Sequence, residues 1–264
     1  MNELKFSKLL GCLALALQAS MMISTVAQDR PRPPQFDSAE VHDDRKITYR
    51  IHAPAAAEVR IVSPDLQGLG QSGAMMKKGE NDIWEATVGP SEPGSFRYHF
   101  QVDSVSVVDP RNPATSEANT NTWSLIHIPG SDWYDTKDVP HGAVAEVTYF
   151  SKSLNRFRRM HVYTPPGYES GSGVFPTLYL FHGATDSDDS WTTVGRAGII
   201  LDNLIAAGKA KPMIVVMPAG HTGPFFFGMK EESFTAQMKL FADDFTDDVR
   251  PLIEKSYRVK DGAD

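Results

Sequence analysis

The chain has 264 residues, a formal net charge of −7, 41% hydrophobic residues and a single cysteine, Cys12. The mild acidity weighs against a nucleic-acid partner, and one thiol excludes a disulfide framework or a cysteine metal cluster. Stability therefore has to come from packed cores.

Lys5 and Lys8 precede the apolar run Leu9 to Ala19, and Thr25-Val26-Ala27 provides a small-residue exit. This pattern predicts a secretory signal peptide over residues 1–27, cleaved before Gln28, and a secreted or periplasmic bacterial protein. The run is shorter than the roughly 20 residues of a spanning helix, so no membrane attachment is expected after cleavage. Leu9-Leu-Gly-Cys12 matches a lipoprotein box only superficially, because it follows Lys8 with no apolar core before it.

From there to about residue 140 the chain reads as short alternating strands. Ile47, Tyr49 and Ile51 alternate with Thr48, Arg50 and His52, and Phe96, Tyr98, Phe100 and Val102 alternate with Arg97, His99 and Gln101. A period of two means half-buried antiparallel strands. With Val59 to Val62, Ile83 to Val88 and turn-rich breaks between them, the spacing predicts a β-sandwich over 28–115. Asp109-Pro-Arg-Asn-Pro113 and the Ser/Thr/Asn-rich run after it read as an exit loop and a linker over 116–142.

Residues 143–264 change character. Val144 to Phe150 and Arg159 to Thr164 are strand candidates. Thr177 to Phe181 is a continuous apolar run ending at His182-Gly183, as expected of a central strand covered on both faces. A helix over Gly198 to Ala207 and a buried strand over Met213 to Met217 follow, which favours a parallel sheet. Phe234, Met238, Phe241, Phe245, Val249, Leu252 and Ile253 form one helical stripe over about 234–255, with a kink expected at Pro251. Asp243, Asp244, Asp247 and Asp248 then fall on the opposite, solvated face rather than in a metal site.

Two sets of motifs carry family resemblances. Ile47-Thr-Tyr-Arg-Ile-His-Ala-Pro54, Asp82-Ile-Trp-Glu-Ala-Thr-Val-Gly-Pro90, Gly94-Ser-Phe-Arg-Tyr-His-Phe100 and Asp109 to Pro113 resemble the early-set immunoglobulin-like domain found ahead of bacterial secreted esterases, a relative of glycogen- and starch-binding modules. Val162-Tyr-Thr-Pro-Pro-Gly-Tyr168, Pro176-Thr-Leu-Tyr-Leu-Phe-His-Gly183 with Trp191, Ile214-Val-Val-Met-Pro218 and Glu254-Lys-Ser-Tyr-Arg-Val259 are similar to the esterase D and feruloyl esterase family of α/β-hydrolases, which includes acetyl xylan and enterochelin-esterase-like members. The expected fold is an N-terminal all-β immunoglobulin-like sandwich followed by a partial α/β-hydrolase with a doubly wound, mostly parallel sheet.

The resemblance implies a secreted serine carboxylic ester hydrolase acting on acyl esters, of plant cell-wall polysaccharide in the feruloyl or acetyl xylan manner, without cofactor or metal. It also places a Gly-x-Ser-Met-Gly-Gly nucleophile elbow shortly after Tyr257-Arg-Val259, whereas this sequence ends at Asp264. The expectation is thus an incomplete chain, lacking nucleophile and catalytic histidine, inactive alone and aggregation-prone through an open sheet edge. The competing expectation is a non-catalytic carbohydrate-binding or spacer protein with a vestigial hydrolase half.

In α/β-hydrolases one oxyanion N–H comes from the loop after an early strand. Here that loop is His182-Gly183-Ala184, so the Gly183 and Ala184 backbones are the candidate catalytic donors, with Ala184 standing where the family often has a further glycine. His182, Trp191 and His221 are candidate substrate-binding residues, His182 as a holder of the loop and Trp191 chiefly as packing beneath it. Phe225-Phe-Phe227 is read equally as core or as an aromatic wall. Asp186, Asp188 and Asp189 are read as a solvated loop, Ser72 as a loop serine, and Trp84 and Tyr98 as core more than as a sugar platform.

Overall fold

The computed structural model describes residues 34–260. The expected signal peptide, 1–27, lies outside them. Among the described residues no helix is long and apolar enough to cross a membrane.

The first half is built of ten strands: β1 (Glu40–Val41), β2 (Ile47–His52), β3 (Val59–Ser63), β4 (Gly70–Met75), β5 (Lys77–Lys78), β6 (Ile83–Val88), β7 (Gly94–Val102), β8 (Val105–Val107), β9 (Thr115–Glu117) and β10 (Thr122–Ile128). They form one sheet of order β1-β2-β6-β5 and a second of order β4-β3-β7-β10-β9, with β8 also on β7. Alternation works as the sequence dictates. Ile47, Tyr49, Ile51 and Trp84 of the first sheet meet Val59, Ile61, Tyr98, Phe100, Ile126 and Ile128 of the second in a single buried cluster. Trp84 and Tyr98 are both buried, which removes them as a sugar platform.

Two segments depart from the sequence reading. The expected linker contains β9 and β10, and β10 pairs antiparallel with β7 from Ser124↔Tyr98 to Ile128↔Gly94. Ser124, Ile126 and Ile128 alternate inward along it, and Asn121 and Thr122 of the run that suggests a linker lie exposed just ahead of that alternation. Ser72 lies in β4 rather than in a loop. That strand was hidden by its glycines, of which Gly73 has φ +60° and leaves only 2.3 Å between a hypothetical Cβ and the Ile61 carbonyl oxygen.

The second half contains β11 (Ala143–Ser151), β12 (Arg156–Thr164), β13 (Thr177–Tyr179), α1 (Ala197–Ala206), β14 (Ile214–Pro218), α2 (Glu231–Asp244), a π turn (Phe245–Val249) and α3 (Arg250–Ser256). The sheet order is β11-β12-β14-β13. Only β13 and β14 are parallel; β11 with β12 and β12 with β14 are antiparallel, so the expectation of a mostly parallel sheet does not hold among the described residues. The short turn between β11 and β12 permits nothing else, since a parallel pair needs a long crossover.

The strand covered on both faces is β14, not the 177–181 run. Ile214 and Val216 join Val249 and Ile253 on one side, and Val215 and Met217 join Tyr163 and Leu201 on the other. β13 lies at the sheet end with Leu178 half exposed. The chain after α3 returns beside it, where Val259 bridges Phe175 in parallel.

The 234–255 stripe also divides. Phe245, Val249, Leu252 and Ile253 pack on the sheet, while Phe234 and Met238 remain exposed. The break comes as the π turn just before Pro251, which lies near the start of α3. Asp243 and Asp247 face solvent as expected, but Asp244 is 0% exposed and Asp248 is buried. Asp244 accepts from Tyr149 Oη at 2.8 Å and contacts Arg158 Nε at 3.2 Å, without the alignment of a hydrogen bond; Asp248 accepts from the Ser153 N–H at 3.0 Å. Asp244 and Asp248 stand three and seven residues after Phe241, beside the apolar stripe, whereas Asp243 and Asp247 fall on the far side of the helix.

Candidate functional site

The two parallel strands deliver their following loops to the same end of the sheet, where ligands bind in open α/β folds. His182, Gly183 and Ala184 leave β13, and Gly220 and His221 leave β14. One side chain ties the loops together. The His182 Nδ1–H donates to the Gly183 carbonyl at 2.8 Å, while Nε2 accepts from the Gly220 N–H at 2.8 Å. A carbonyl only accepts and an amide N–H only donates, so this is the neutral Nδ1–H tautomer with both nitrogens committed.

Among the described residues neither the Gly183 nor the Ala184 N–H has a hydrogen-bond acceptor, because the loop's own bonds run elsewhere, from the Asp186 N–H to the Gly183 carbonyl for one. Both residues line a cleft of about 310 Å³. Its other walls are Phe181, Phe225, Phe234, Met238, Phe241 and Gln237, with Gly220 and His221 beside the loop. The lining is chiefly apolar with a few polar groups, the usual character of a small-molecule site.

His221 stands in the cleft, its ring 5.0 Å from that of His182 and 5.5 Å from that of Phe225. Its Nε2–H donates to the Asp186 carbonyl at 3.2 Å. Burial lowers its pKa and favours the neutral ring. Arg158 holds the same loop from beneath, donating to the carbonyls of His221 and Ala219. Trp191 is not in the cleft lining; its indole N–H donates to the Phe181 carbonyl at 2.9 Å and its ring packs against Gly195. Phe225 lines the cleft, whereas Phe226 and Phe227 are exposed next to it.

The carboxylates after the loop are not solvated as the sequence suggested. Asp188 and Asp189 are buried, and Asp188 receives Arg159 Nε at 2.7 Å and His161 Nδ1 at 2.9 Å. Burial raises its pKa, but hydrogen bonds from His161 and Arg159 outweigh that and leave it lowered. For Asp189 burial dominates and the pKa is raised. Among the described residues no group of three or more His, Cys, Asp or Glu side chains is arranged to hold a metal ion.

These side chains are consumed by a seam with the sandwich, which with this half forms one compact unit, Phe36–Asp264. Arg97 of β7 pairs with Asp186 at 2.7 Å, and Glu117 of β9 takes Arg159 on its side chain and Ser187 and Ser190 on its carbonyl. A second hollow of about 510 Å³ lies along this seam, with Arg97, Asn119, Asn121 and Trp123 on the sandwich side and Thr185 and Phe225 to Phe227 on the other. Sequence reasoning missed Phe234, Met238 and Phe241 as cleft residues because their helical period reads as core. It missed Arg97 because a charged residue in an alternating strand reads as solvent-facing.

Comparison with known proteins gives the geometry its setting. Residues 151–263 match the family described as "Putative esterase", and residues 36–123 match carbohydrate-binding module 48, the isoamylase N-terminal domain. An endo-1,4-beta-xylanase/feruloyl esterase of Xylanibacter ruminicola is 37% identical over 229 residues, covering 83% of this chain; the chain spans 30% of that relative's length. The enterobactin esterase of Shigella flexneri has the same fold over 83% of this chain and 62% of its own, at TM-score 0.51 and 15% identity. The chain is thus similar to esterases over residues 151–263 and to carbohydrate-binding module 48 over residues 36–123.

Proposed function

We propose that this chain supplies the oxyanion side and the acyl wall of a secreted serine carboxylic ester hydrolase acting on esters of plant cell-wall polysaccharide. The observation that carries the reading is the pair of unengaged amides, Gly183 and Ala184, after the carboxyl end of β13 in residues that line an aromatic cleft. When a hydroxyl attacks an ester carbonyl, the π pair moves onto oxygen, and preorganised N–H donors hold that charge until the alcohol leaves. One such donor is worth about 10²–10³ in rate. The reading assigns nucleophile, orienting acid and catalytic histidine to no described residue, and His182 and His221, whose Nδ1–H and Nε2–H are committed to carbonyls, hold the two loops.

The phenylalanine wall suits an aromatic acyl group, in keeping with the feruloyl esterase similarity. The seam hollow gives the polysaccharide a place beside it, with amide and aromatic side chains that suit sugars. Secretion rests on residues 1–27.

The test has two arms. Ferulate titrated into the isotopically labelled 264-residue chain is expected to shift the amide resonances of Gly183, Ala184 and Gly220. The protein as its gene encodes it is expected to release ferulate from methyl ferulate. Absence of both effects overturns the reading.

A further inference from the structure

The loop that carries Gly183 and Ala184 is bonded both to its own half and to the sandwich. Asp186 is the hinge of that arrangement. Its N–H closes the turn on the Gly183 carbonyl at 3.1 Å, its carbonyl accepts from His221, and a Cβ placed on Gly183 would sit only 2.9 Å from its Oδ2. A carboxylate so close to the oxyanion donors would oppose negative charge on a ligand there. The group that offsets it comes from the other domain: Arg97 of β7, 13% exposed at its side chain, donates Nη1 to Asp186 Oδ1 at 2.7 Å. The same contact is backed by an antiparallel bridge between Ala118 and Asp186 and by the Asn119 N–H on the Thr185 carbonyl at 2.9 Å.

We propose that Arg97, on the sandwich, is a positioning residue for the oxyanion loop, acting through Asp186. It fixes the turn that aims the Gly183 and Ala184 amides and cancels the carboxylate beside them. The sandwich is then a working part of the ester site rather than an appended module. The inference rests on the ester-hydrolase reading for its functional meaning, but its mechanical content stands apart from it.

The experiment is amide hydrogen exchange with ferulate titration on the 264-residue chain, comparing Arg97→Gln, Arg97→Lys, Asp186→Asn and the double variant Arg97→Gln/Asp186→Asn. Loss of a charge-assisted hydrogen bond is expected to speed exchange at Gly183 to Thr185 by about tenfold and to weaken ferulate by a similar factor, with Val215 and Val216 unchanged. Arg97→Lys is expected to recover most of both effects. In exchange the double variant is expected to add nothing to Arg97→Gln, since the two residues act as one pair, and in ferulate binding to be no weaker than Arg97→Gln. Should Arg97→Gln unfold the domain, Asp186→Asn leaves β7 intact and carries the exchange comparison, with ferulate weakened less because the opposing carboxylate is gone too. Unchanged exchange at Gly183 to Thr185, or additive effects in the double variant, overturns the proposal. Faster exchange with no ferulate binding in any variant, the parent included, upholds the positioning role and counts against the ester reading alone.

Discussion

The sandwich and the hydrolase half solve burial differently. In the sandwich, thirteen buried apolar residues from two facing sheets form one cluster, and the polar groups buried with them are mostly hydroxyls, with Asp109 the one buried carboxylate among the described residues there. In the hydrolase half the buried apolar residues divide into clusters of eight and three on opposite faces of one small sheet, and carboxylates share the interior with them. Asp244 lies under the π turn, Asp202 accepts from Tyr163 Oη at 2.7 Å, and Asp188 is held by Arg159 and His161. The difference teaches that the sandwich is held chiefly by area, which tolerates small changes. The other half is held by paired charges, which do not tolerate loss of one partner.

The contrast can be broken most directly at Asp244. Asp244→Ala leaves Arg158 buried without its counter-ion and is expected to cost about 3–5 kcal/mol, read as a shift of the urea midpoint. In the sandwich the corresponding polar loss is milder. Tyr98→Phe deletes the hydroxyl that donates to Asp109 at 2.9 Å and accepts from Asn112, and is expected to cost about 1–3 kcal/mol in the same measurement.

Acid sharpens the comparison further. The folded-state pKa of Asp188 lies below its unfolded value, so its contribution is fully present above the unfolded pKa and is lost as pH falls through the folded one. Stability followed by denaturant titration is expected to decline from about pH 4 downward, and Asp188→Asn is expected to flatten that decline. The smallest effect is expected at Phe227, 79% exposed beside the cleft. Phe227→Ser is expected to change stability by no more than about 0.5 kcal/mol while altering the seam surface, checked by thermal melting.

Legibility in the sequence followed the same division. β2 and β7 were readable because alternation over Ile47, Tyr49 and Ile51, or over Tyr98 and Phe100, has one physical cause, a strand with one dry face. β10 was missed although Ile126 and Ile128 alternate, because the Asn and Thr residues before it are equally typical of a linker. In the other half, the apolar run ending at His182-Gly183 announced a strand and its loop. Nothing in one dimension distinguished the sheet edge, where β13 lies, from the centre, where β14 lies. Asp244 and Asp248 were assigned to the wet face by their charge, although they stand three and seven residues after Phe241, beside the apolar stripe.

By itself, the sequence determined the order of the two halves, the strands with a clear alternation and the place in the chain of the His182-Gly183-Ala184 loop. These follow from local periodicity and from which residues can leave water. Only the tertiary structure decided that Arg97 meets Asp186, that Phe234 and Met238 face a cleft instead of a core, and that Asp188, Asp189, Asp202, Asp244 and Asp248 go inside. Those outcomes depend on partners up to 97 positions apart in the chain, as for Ser151 and Asp248, and no local pattern encodes a neighbour that only folding supplies.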